Sequence, residues 1–464
     1  MNIFVFNSDL RLKDNPALYY ASLEQDGLVA LYFINKKKWH DHDESNLKIK
    51  FQLKQLHVLK KNLEEKNISL LMIEANGIED EAKLILEKAK EIKAKKVFIN
   101  SEYGVNEKRR DSELERMLNK DNILFESFDT SIIHPSFLKT KTQTFFKVFT
   151  PYSKAFRAKL DDRVLEVLNE PSKQGSLHYP SKIIEVSFPE NSTEDEALNF
   201  YPTGEDHALE ILNNFLKHKI TEYKDKRDFP GVDGTSVISP YLTSGIISAK
   251  ICLSRVFEEH KDDSDKGIRS WVNEILWREF YKYILFCFPE VSKGKSFIEK
   301  YDSFEWSNNE EHFNKWKEGK TGVPIVDAAM QQLNKTGWMH NRLRMVVAMY
   351  LTKNLLIDWR KGEKYFMSKL IDGDLASNNG GWQWSASTGV DAAPYFRIFN
   401  PITQSEKFDP DGKFIKKWVP ELNTLNPNEI HNPSEEVRKR IGYHLPLVDL
   451  GESRKKAIEA FSSF

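Results

Sequence analysis

Cysteine is nearly absent from this chain of 464 residues, which contains only Cys252 and Cys287. Two cysteines cannot build the disulfide framework of a small secreted protein, so we expect a reducing compartment. No run of eighteen apolar residues occurs, which argues against a membrane-spanning helix. The first residues lack the basic and apolar stretches of a secretory signal. We therefore expect a cytoplasmic protein with no membrane partner.

The chain also has little net charge, −1 at pH 7, because its 68 Lys and Arg residues nearly balance 69 Asp and Glu residues. It is not coated with positive charge for nucleic acid, so DNA binding has to come from the arrangement of particular residues. No GxGxxG follows the first predicted strand, which excludes an ordinary dinucleotide fingerprint. The Cys and His residues show no metal-ligand spacing, and we expect no metal site.

The first 130 residues alternate short apolar runs with charged segments of helical period. The predicted strands are 2–6, 28–34, 69–73, 96–100 and 123–128. The predicted helices between them are 45–66, 79–93 and 106–120. Strands that alternate with helices indicate β-α-β units and a parallel sheet, here a doubly wound α/β domain.

Residues 131–204 are irregular and rich in Ser, Pro, Lys and Glu, and we interpret them as a long linker with a helix at 152–168. From residue 205 the apolar spacing is helical, which predicts an all-α domain over 205–464. Its predicted helices are 206–217, 246–259, 268–287, 312–318, 323–336, 340–357 and 363–370.

The most distinctive stretch runs from Ile371 to Trp384 and reads IDGDLASNNGGWQW. Gly lets the backbone approach a ligand, Asn both donates and accepts hydrogen bonds, and Trp offers a stacking face. This combination suits a large, flat, polar ring such as a flavin or a nucleobase. Nine of the ten Trp residues follow residue 270, and an aromatic core is the simpler interpretation of their number alone.

The predicted helix 268–287 carries an unusual face. Its members recur every three or four residues and are Trp271, Glu274, Trp277, Arg278 and Tyr281. Polar and charged groups on one face are costly in an apolar core and suit the wall of a polar cavity. A surface helix with its Trp residues packed inward is the alternative.

Two other segments carry groups suited to a ligand. The Gly turn and hydroxyls of 233–239 can direct donors at a phosphate, although a turn with a helix cap is the simpler explanation of this segment alone. In the segment 337–345, Asn341 and Met345 share a face. Arg342 and Arg344 point to different sides, so one can serve a phosphate while the other serves an internal carboxylate.

Together these segments resemble the photolyase/cryptochrome family of flavoproteins, most strongly the bacterial folate-type photolyases of cyclobutane pyrimidine dimers. The matching motifs, in order, are RDFP and DGTS within 227–236, WVNEILWREFY at 271–281, EGKTGVPIVDAAM at 318–330, GWMHNRLRM at 337–345, and DWR, DGD and NNGGWQW within 358–384. The resemblance implies an antenna-binding α/β domain (1–130), a linker (131–204) and a helical FAD- and DNA-binding domain (205–464).

The resemblance implies FAD, reduced in its active form, as the cofactor. The residues implied to hold it are Tyr223, Thr235, Ser236, Val237, Ile238, Ser239, Trp271, Arg344, Asp372, Gly373, Asp374 and Asn378. Asn378 is implied to face flavin N5, where a neutral amide forms a hydrogen bond without imposing negative charge.

The implied reaction is light-driven: excited reduced FAD passes one electron to a pyrimidine dimer flipped out of damaged DNA, the cyclobutane ring splits, and the electron returns. Glu274 is implied to hydrogen-bond the dimer, and Trp277 and Trp384 to stack on it. The residues implied to contact the dimer or the DNA are Arg227, Glu274, Trp277, Arg278, Asn341, Arg342, Met345, Trp384 and Lys407.

The resemblance also separates two kinds of lesion. Relatives that repair (6-4) photoproducts have His at the positions of Asn341 and Met345, and this chain has no His at either position. The neighbouring His340 lies about 100° away on the helix and does not replace them. Cyclobutane dimers are therefore the expected substrate.

Trp382, Trp359 and Trp306 match the electron-relay tryptophans of the family, which reduce the photo-excited flavin by stepwise hopping. Three core tryptophans are the alternative. The antenna site is implied to comprise His42, Asn106, Glu107 and Lys293, with 5,10-methenyltetrahydrofolate as the chromophore. An 8-hydroxy-5-deazaflavin antenna remains an alternative, and His40 is an alternative to His42.

Two other functions are weighed against repair. A cryptochrome-like blue-light photoreceptor is expected to lose the dimer-binding wall, whereas this chain retains it. A dark flavin oxidoreductase would need a nicotinamide fingerprint, which the sequence does not show. We expect a monomer that associates with the bacterial nucleoid when it binds DNA.

Overall fold

The computed structural model describes residues 1–24, 26–176 and 179–464. Its strands are β1 (Asn2–Val5), β2 (Leu28–Ile34), β3 (Ser69–Glu74), β4 (Lys96–Asn100) and β5 (Leu124–Phe128). The α-helices before residue 204 are α1 (Pro16–Leu23), α2 (Lys36–Asp41), α3 (Asn46–Glu65), α4 (Ile78–Glu91), α5 (Val105–Lys120), α6 (Phe149–Arg157) and α7 (Ser192–Leu198).

The α-helices of the second half are α8 (Glu205–His218), α9 (Tyr223–Lys226), α10 (Ser239–Thr243), α11 (Ala249–His260), α12 (Lys266–Cys287), α13 (Glu310–Glu318), α14 (Pro324–Thr336), α15 (Asn341–Met349), α16 (Trp359–Lys369), α17 (Leu375–Ala386), α18 (Pro401–Phe408), α19 (Lys413–Trp418), α20 (Pro427–Ile430), α21 (Glu435–Ile441) and α22 (Leu450–Ser462). Short 3-10 turns lie at Pro135–Phe137, Ile220–Glu222, Pro289–Lys293, Glu299–Ser303 and Pro420–Leu422, and a π-helical turn at Tyr350–Asn354.

The strands form one parallel sheet in the order β3-β2-β1-β4-β5. On β1, Ile3 and Val5 face α4 and α5, whereas Phe4 faces α1 and α3. This alternation is that of a strand covered on both sides. The predicted doubly wound α/β domain is confirmed, and each predicted strand ends within one residue of the observed strand.

The strand order puts a topological switch point at the carboxyl ends of β1 and β4, where open α/β sheets bind ligands. Buried protein groups fill the inner part of this crevice. Arg110 donates to Glu81 Oε2 and to Asn7 Oδ1, each at 3.0 Å. At the end of β4, Asn100 Nδ2 donates to Asp9. A ligand at this edge of the sheet would therefore bind at the outer rim of the crevice and not in its interior.

The linker contains less helix than predicted. α6 ends at Arg157, whereas the sequence predicts a helix over 152–168. The Asp161 carboxylate accepts the Val164 backbone N–H at 2.9 Å, a local turn that competes with the helix. Leu177 and His178 also belong to the linker range, but they lie outside the described residues.

Another part of the linker covers the edge of the sheet. Lys182 pairs with Leu71 of β3 in a parallel bridge. The Met72 N–H donates to the Lys182 carbonyl, and the Lys182 N–H to the Leu70 carbonyl, both at 2.8 Å. A bare edge strand offers backbone groups to other chains, so this segment completes the α/β domain.

The second half is helical, as predicted, and α12 lies at its centre in contact with α6, α9, α11 and α17. α17 and the helices from Pro401 onward are not among those predicted from the sequence. Gly and Asn disfavour a helix in α17. The helix forms because Asp374 caps its N-terminus, where its carboxylate accepts the Ser377 N–H at 2.8 Å, and because α12 packs along it.

The helix predicted over 340–357 is interrupted. α15 ends at Met349, and the π-helical turn Tyr350–Asn354 follows. Lys353 in this turn is fully buried. Its Nζ donates to the Ala386 carbonyl at 3.0 Å and lies 3.4 Å from the centre of the Phe461 ring. One lysine thus links the end of α17 to α22.

Lys353 should make stability depend on pH. An unfolded lysine keeps its proton to about pH 10, whereas burial lowers the pKa of Lys353 to about 6. Between these values the unfolded state binds more protons. The free energy of unfolding therefore rises with pH, by at most about 1.4 kcal/mol per pH unit for one group.

We expect Lys353→Met to flatten this rise, measured by urea unfolding between about pH 7 and pH 9. The exposed Lys335 on α14 provides the matched control, and Lys335→Met should keep the wild-type gradient. Equal gradients in the wild type and in Lys353→Met would contradict the assignment.

Candidate functional site

The helical half contains a cavity of about 480 Å³ between α12, α15, α17 and the segment that leads into α10. Sites for small molecules commonly measure roughly 300–1,000 Å³. The predicted site residues that line it are Tyr223, Arg227, Thr235, Ser236, Val237, Ile238, Ser239, Trp271, Glu274, Trp277, Arg278, Asn341, Arg344, Met345, Asp372, Asp374, Asn378, Trp382 and Trp384.

An ion pair joins three segments of the lining. Arg344 Nη2 lies 3.0 and 2.8 Å from the two carboxylate oxygens of Asp372. Ser239 Oγ donates to Asp372 Oδ2 at 2.6 Å. The expectation that one of the two neighbouring arginines serves an internal carboxylate matches Arg344.

The segment 235–239 is shaped by one unusual backbone conformation. Val237 has φ +50°, a region that a β-branched residue rarely enters without support from its surroundings. Two indole N–H groups hold the flanking hydroxyls: Trp271 Nε1 donates to Ser236 Oγ at 3.3 Å and Trp338 Nε1 to Ser239 Oγ at 3.4 Å. The turn is thus fixed on both sides of Val237.

Positive charge surrounds Asp374 at another side of the cavity. Burial alone would raise the pKa of this carboxyl, but Lys282 and Arg278 outweigh burial and hold it below its usual range. Burial, with Arg278 close by, lowers the pKa of Lys282. The cavity therefore combines an ionised carboxylate with nearby cations.

Asn378 has one end of its amide committed to the protein. Its Nδ2 donates to the Glu363 carbonyl at 3.0 Å, which leaves Oδ1 as the acceptor available to the cavity. The Glu363 carboxylate accepts a bond from Asn379 Nδ2 at 2.8 Å, and burial raises its pKa to about 7. Asn378 is thus held in one orientation from behind.

Another part of the lining carries the residues implied to meet a pyrimidine dimer. Glu274 forms an ion pair with Arg227, which also donates to Ser270 Oγ at 3.1 Å. Burial raises the pKa of Glu274, and Arg227 opposes that rise. Trp277 and Trp384 add flat apolar faces to the same cavity.

Arg342, Gly373 and Lys407 are outside the lining. Arg342 Nη2 pairs with Asp228 at 2.9 Å, and its guanidinium lies 4.4 Å from the centre of the Phe408 ring. Lys407 Nζ lies 5.1 Å from the centre of the same ring. The two cations therefore flank Phe408.

His340 belongs to the structure of α15 and not to the cavity. It is 3% exposed, and its Nδ1 accepts the Arg342 backbone N–H at 3.2 Å as a helix cap. Burial lowers the pKa of His340 to about 4, which keeps the ring neutral near pH 7. These contacts agree with its expected position off the face of Asn341 and Met345.

The three relay candidates belong to one hydrophobic cluster, in which Trp359 and Trp382 are buried and Trp306 is partly buried at its margin. Trp382 lines the cavity, and its ring lies against Gly362, one turn along α16 from the buried Trp359. The segment that carries Trp306 is bonded to the residues just before α16: the Ser307 N–H donates to the Leu356 carbonyl at 2.8 Å. Trp306 itself is half-buried.

Three of the four antenna candidates meet at the carboxyl edge of the sheet. His42 Nε2 lies 3.4 Å from Asn106 Nδ2, and Glu107 Oε1 lies 3.9 Å from His42 Nδ1. Lys293 is carried by the 3-10 turn that packs against α5. The side chain of the alternative His40 is 89% exposed.

Comparison with known proteins agrees with this geometry. The family model described as the FAD binding domain of DNA photolyase matches residues 271–463, and the one described as DNA photolyase matches residues 2–172. The deoxyribodipyrimidine photo-lyase of Escherichia coli (strain K12) is 42% identical over 99% of this chain and 98% of its own length. The chain belongs to the DNA photolyase family. Its helical half is an FAD-binding domain.

Solved structures show the same fold. The class III photolyase of Agrobacterium tumefaciens has a TM-score of 0.87 and 33% identity, over 100% of this chain and 97% of its own. The cryptochrome of Synechocystis sp. PCC6803 has a TM-score of 0.89 and 27% identity, over 99% and 98%. The fold alone thus does not separate photolyase from cryptochrome, but the curated relatives that match the whole chain are deoxyribodipyrimidine photo-lyases, which supports dimer repair over the cryptochrome alternative.

Sequence reasoning missed part of the lining on α17. Ser377, Gly381 and Ser385 line the cavity and follow Asp374 at helical spacing. Had 375–386 been predicted as a helix, this face would have identified them. Gly380 allows α17 to pack closely on α12, because a side chain at this position would overlap the Tyr281 ring of α12. Tyr281, on the face predicted for helix 268–287, also lines the cavity. Other lining residues absent from the predicted set are Leu242, Thr243, Ile275, Trp338, Met339, Ala348, Phe366 and Leu370.

Proposed function

We propose that this protein repairs cyclobutane pyrimidine dimers in ultraviolet-damaged DNA by a light-driven, FAD-dependent reaction. One observation carries the proposal: a single cavity presents polar groups suited to FAD together with a wall of Glu274, Trp277, Asn341, Met345 and Trp384. Bound, reduced FAD would supply the electron that opens the dimer and would recover it afterwards. The protein binds and orients the cofactor and the dimer and sets the charges around them.

The residues present fit FAD. The Ser236 hydroxyl, on the turn at Val237, would donate to its phosphates, whereas Ser239 Oγ already donates to Asp372, and Arg278 adds positive charge nearby. Asn378, whose Nδ2 is held by Glu363, would accept a hydrogen bond from flavin N5–H through its Oδ1. This amide would favour a proton on N5 without adding a charge.

The wall fits a flipped dinucleotide. Trp277 and Trp384 would stack on it, and bases stack on aromatic faces at a gain of roughly 1–3 kcal/mol each. Glu274 would hydrogen-bond a dimer carbonyl when its carboxyl carries a proton. Burial favours that proton by raising the pKa of Glu274, and the ion pair with Arg227 opposes it. Arg227 fixes the carboxyl in place.

DNA binding depends on a few cations, because the chain as a whole is almost neutral. Arg342 and Lys407 flank Phe408, and we assign phosphate contacts to them. Arg227 forms an ion pair with Glu274. It would therefore assist DNA binding indirectly, by supporting the wall that contacts the dimer.

We also propose an antenna chromophore at the rim of the sheet, formed by His42, Asn106, Glu107 and Lys293. The polar network around Arg110 fills the interior of the crevice, which supports a site at the surface. A pterin presents donors that the Glu107 carboxylate can accept, and Lys293 can pair with the carboxylates of a folate tail. This chemistry favours methenyltetrahydrofolate over 8-hydroxy-5-deazaflavin.

The test of repair uses the purified protein with reduced FAD, blue light and an oligonucleotide that contains one dimer. We expect intact thymines to appear. Dimer binding without conversion would support a cryptochrome-like photoreceptor instead, and would refute the proposal.

Glu274→Ala should lower the repair yield by about three- to tenfold, the effect of losing one hydrogen bond of about 0.6–1.4 kcal/mol. Dimer affinity in the dark should change less, because the stacking wall remains. Glu258→Ala, an exposed glutamate on α11, is the control. An unchanged yield would remove Glu274 from the reaction.

Trp306→Phe should abolish photoreduction of oxidised FAD while chemically reduced protein still repairs dimers. Phenylalanine is much harder to oxidise than tryptophan, so it would interrupt hopping at the outer end. Absorbance of the flavin under illumination reports the first property, and the repair assay reports the second. Loss of both would contradict the relay.

His42→Ala should reduce antenna retention, whereas His40→Ala should not, because His40 is solvent-exposed and His42 contacts Asn106. The absorption spectrum reports both occupancy and identity. A near-ultraviolet band supports a folate, and a band at longer wavelength supports a deazaflavin. Equal retention in the two variants would count against His42.

A further inference from the structure

One linker residue lies flat against the wall of the cavity. The rings of Phe149 and Trp277 are stacked, with centroids 3.8 Å apart and planes 7° apart. Phe149 opens α6 and is 8% exposed, and it does not itself line the cavity. It therefore covers one face of the indole from behind.

The backbone of the same residue reaches the segment that follows the second tryptophan. The Phe149 N–H donates to Asp391 Oδ2 at 3.1 Å. Asp391 adopts φ +48°, and two residues later the Ala393 N–H donates to the Trp384 carbonyl at 3.2 Å. Phe149 thus connects the parts of the chain that carry Trp277 and Trp384.

Phe149 is itself supported from several sides. Its ring meets the Phe280 ring edge to face at 5.8 Å. The preceding turn is fixed by Tyr283, whose hydroxyl accepts the Phe146 N–H and donates to the Leu138 carbonyl, both at 2.8 Å. Because these contacts fix the Phe149 ring, that ring can restrict the orientation of the Trp277 indole stacked on it.

We propose that Phe149 is a positioning residue for dimer recognition. It fixes the plane of Trp277 and, through Asp391, ties the linker to the segment beyond Trp384, so that the two faces are set before the dimer arrives. This inference rests on the proposed function. A wall that is already ordered binds more tightly because no side chain has to be immobilised on binding.

The test compares Phe149→Ala with Phe145→Ala. Phe145 lies in the same linker and meets Tyr283 edge to face at 6.1 Å. The readouts are the dissociation constants for dimer-containing and undamaged oligonucleotides in the dark, the FAD content, and the repair rate at saturating dimer. Phe149→Ala should weaken dimer binding about three- to tenfold, as for loss of one aromatic pair.

Binding of undamaged DNA, FAD content and the saturated repair rate should stay near wild type. Phe145→Ala should leave all four readouts unchanged, and Phe149→Tyr should restore dimer affinity. In a Trp277→Ala background, Phe149→Ala should change affinity less than about twofold, because the two act as one unit.

Equal effects of Phe149→Ala and Phe145→Ala, or additive effects of Phe149→Ala and Trp277→Ala, would overturn the inference. If Phe149→Ala does not fold, Phe149→Leu keeps the side-chain volume without the flat ring and should show the same loss. A wild type that neither binds nor repairs dimers would refute the proposed function, whereas a normal wild type with an unaffected Phe149 variant would refute only this inference.

Discussion

The ion pair between Arg344 and Asp372 is the interaction on which the cavity depends. It joins α15 to the loop before α17 and, through Ser239, to the first residue of α10. The Asp372 side chain is 4% exposed. Loss of Arg344 would therefore leave a poorly solvated carboxylate without its cationic partner. In comparable buried pairs the removal of one partner costs roughly 3–5 kcal/mol. The pair therefore stabilises the architecture and sets the shape of the site.

The same loop is also braced from the α/β domain. Lys48 Nζ of α3 donates to the Gly373 carbonyl at 2.8 Å, and Leu47 lies against Gly337. α3 follows closely on His42, which belongs to the proposed antenna cluster. One interface thus sets the FAD cavity and the antenna rim relative to each other. Transfer of excitation energy between two chromophores depends on their distance and orientation, so these contacts would govern transfer from the proposed antenna to FAD.

The tryptophans of this helical half make different kinds of contact, and the neighbouring groups determine the kind of contact that each one makes. Trp271 holds a hydroxyl of the turn at Val237 through its N–H, and Trp277 offers a flat face backed by Phe149. Trp382 touches the cavity on one side and the core near Trp359 on the other. One residue type therefore serves as a hydrogen-bond donor and as a stacking surface within one domain, and the proposed relay would add electron transfer.

The sequence by itself determined the sheet and most of the cavity wall. Short apolar runs between charged helical segments define strands locally, and the spacing of Trp271, Glu274 and Trp277 places them on one face of any helix. The fold class, FAD and the repair reaction followed from several short motifs in a fixed order. Each motif can be identified from a few neighbouring residues.

Only the tertiary structure decided how distant groups pair. α17 is helical despite its Gly and Asn residues because Asp374 caps it and Gly380 admits Tyr281 of α12. Arg227 meets Glu274 rather than solvent, and His42 rather than His40 faces Asn106. Local periodicity reports which residues share a face within one element. It does not report which polar group lies opposite across the fold, because that depends on long-range packing.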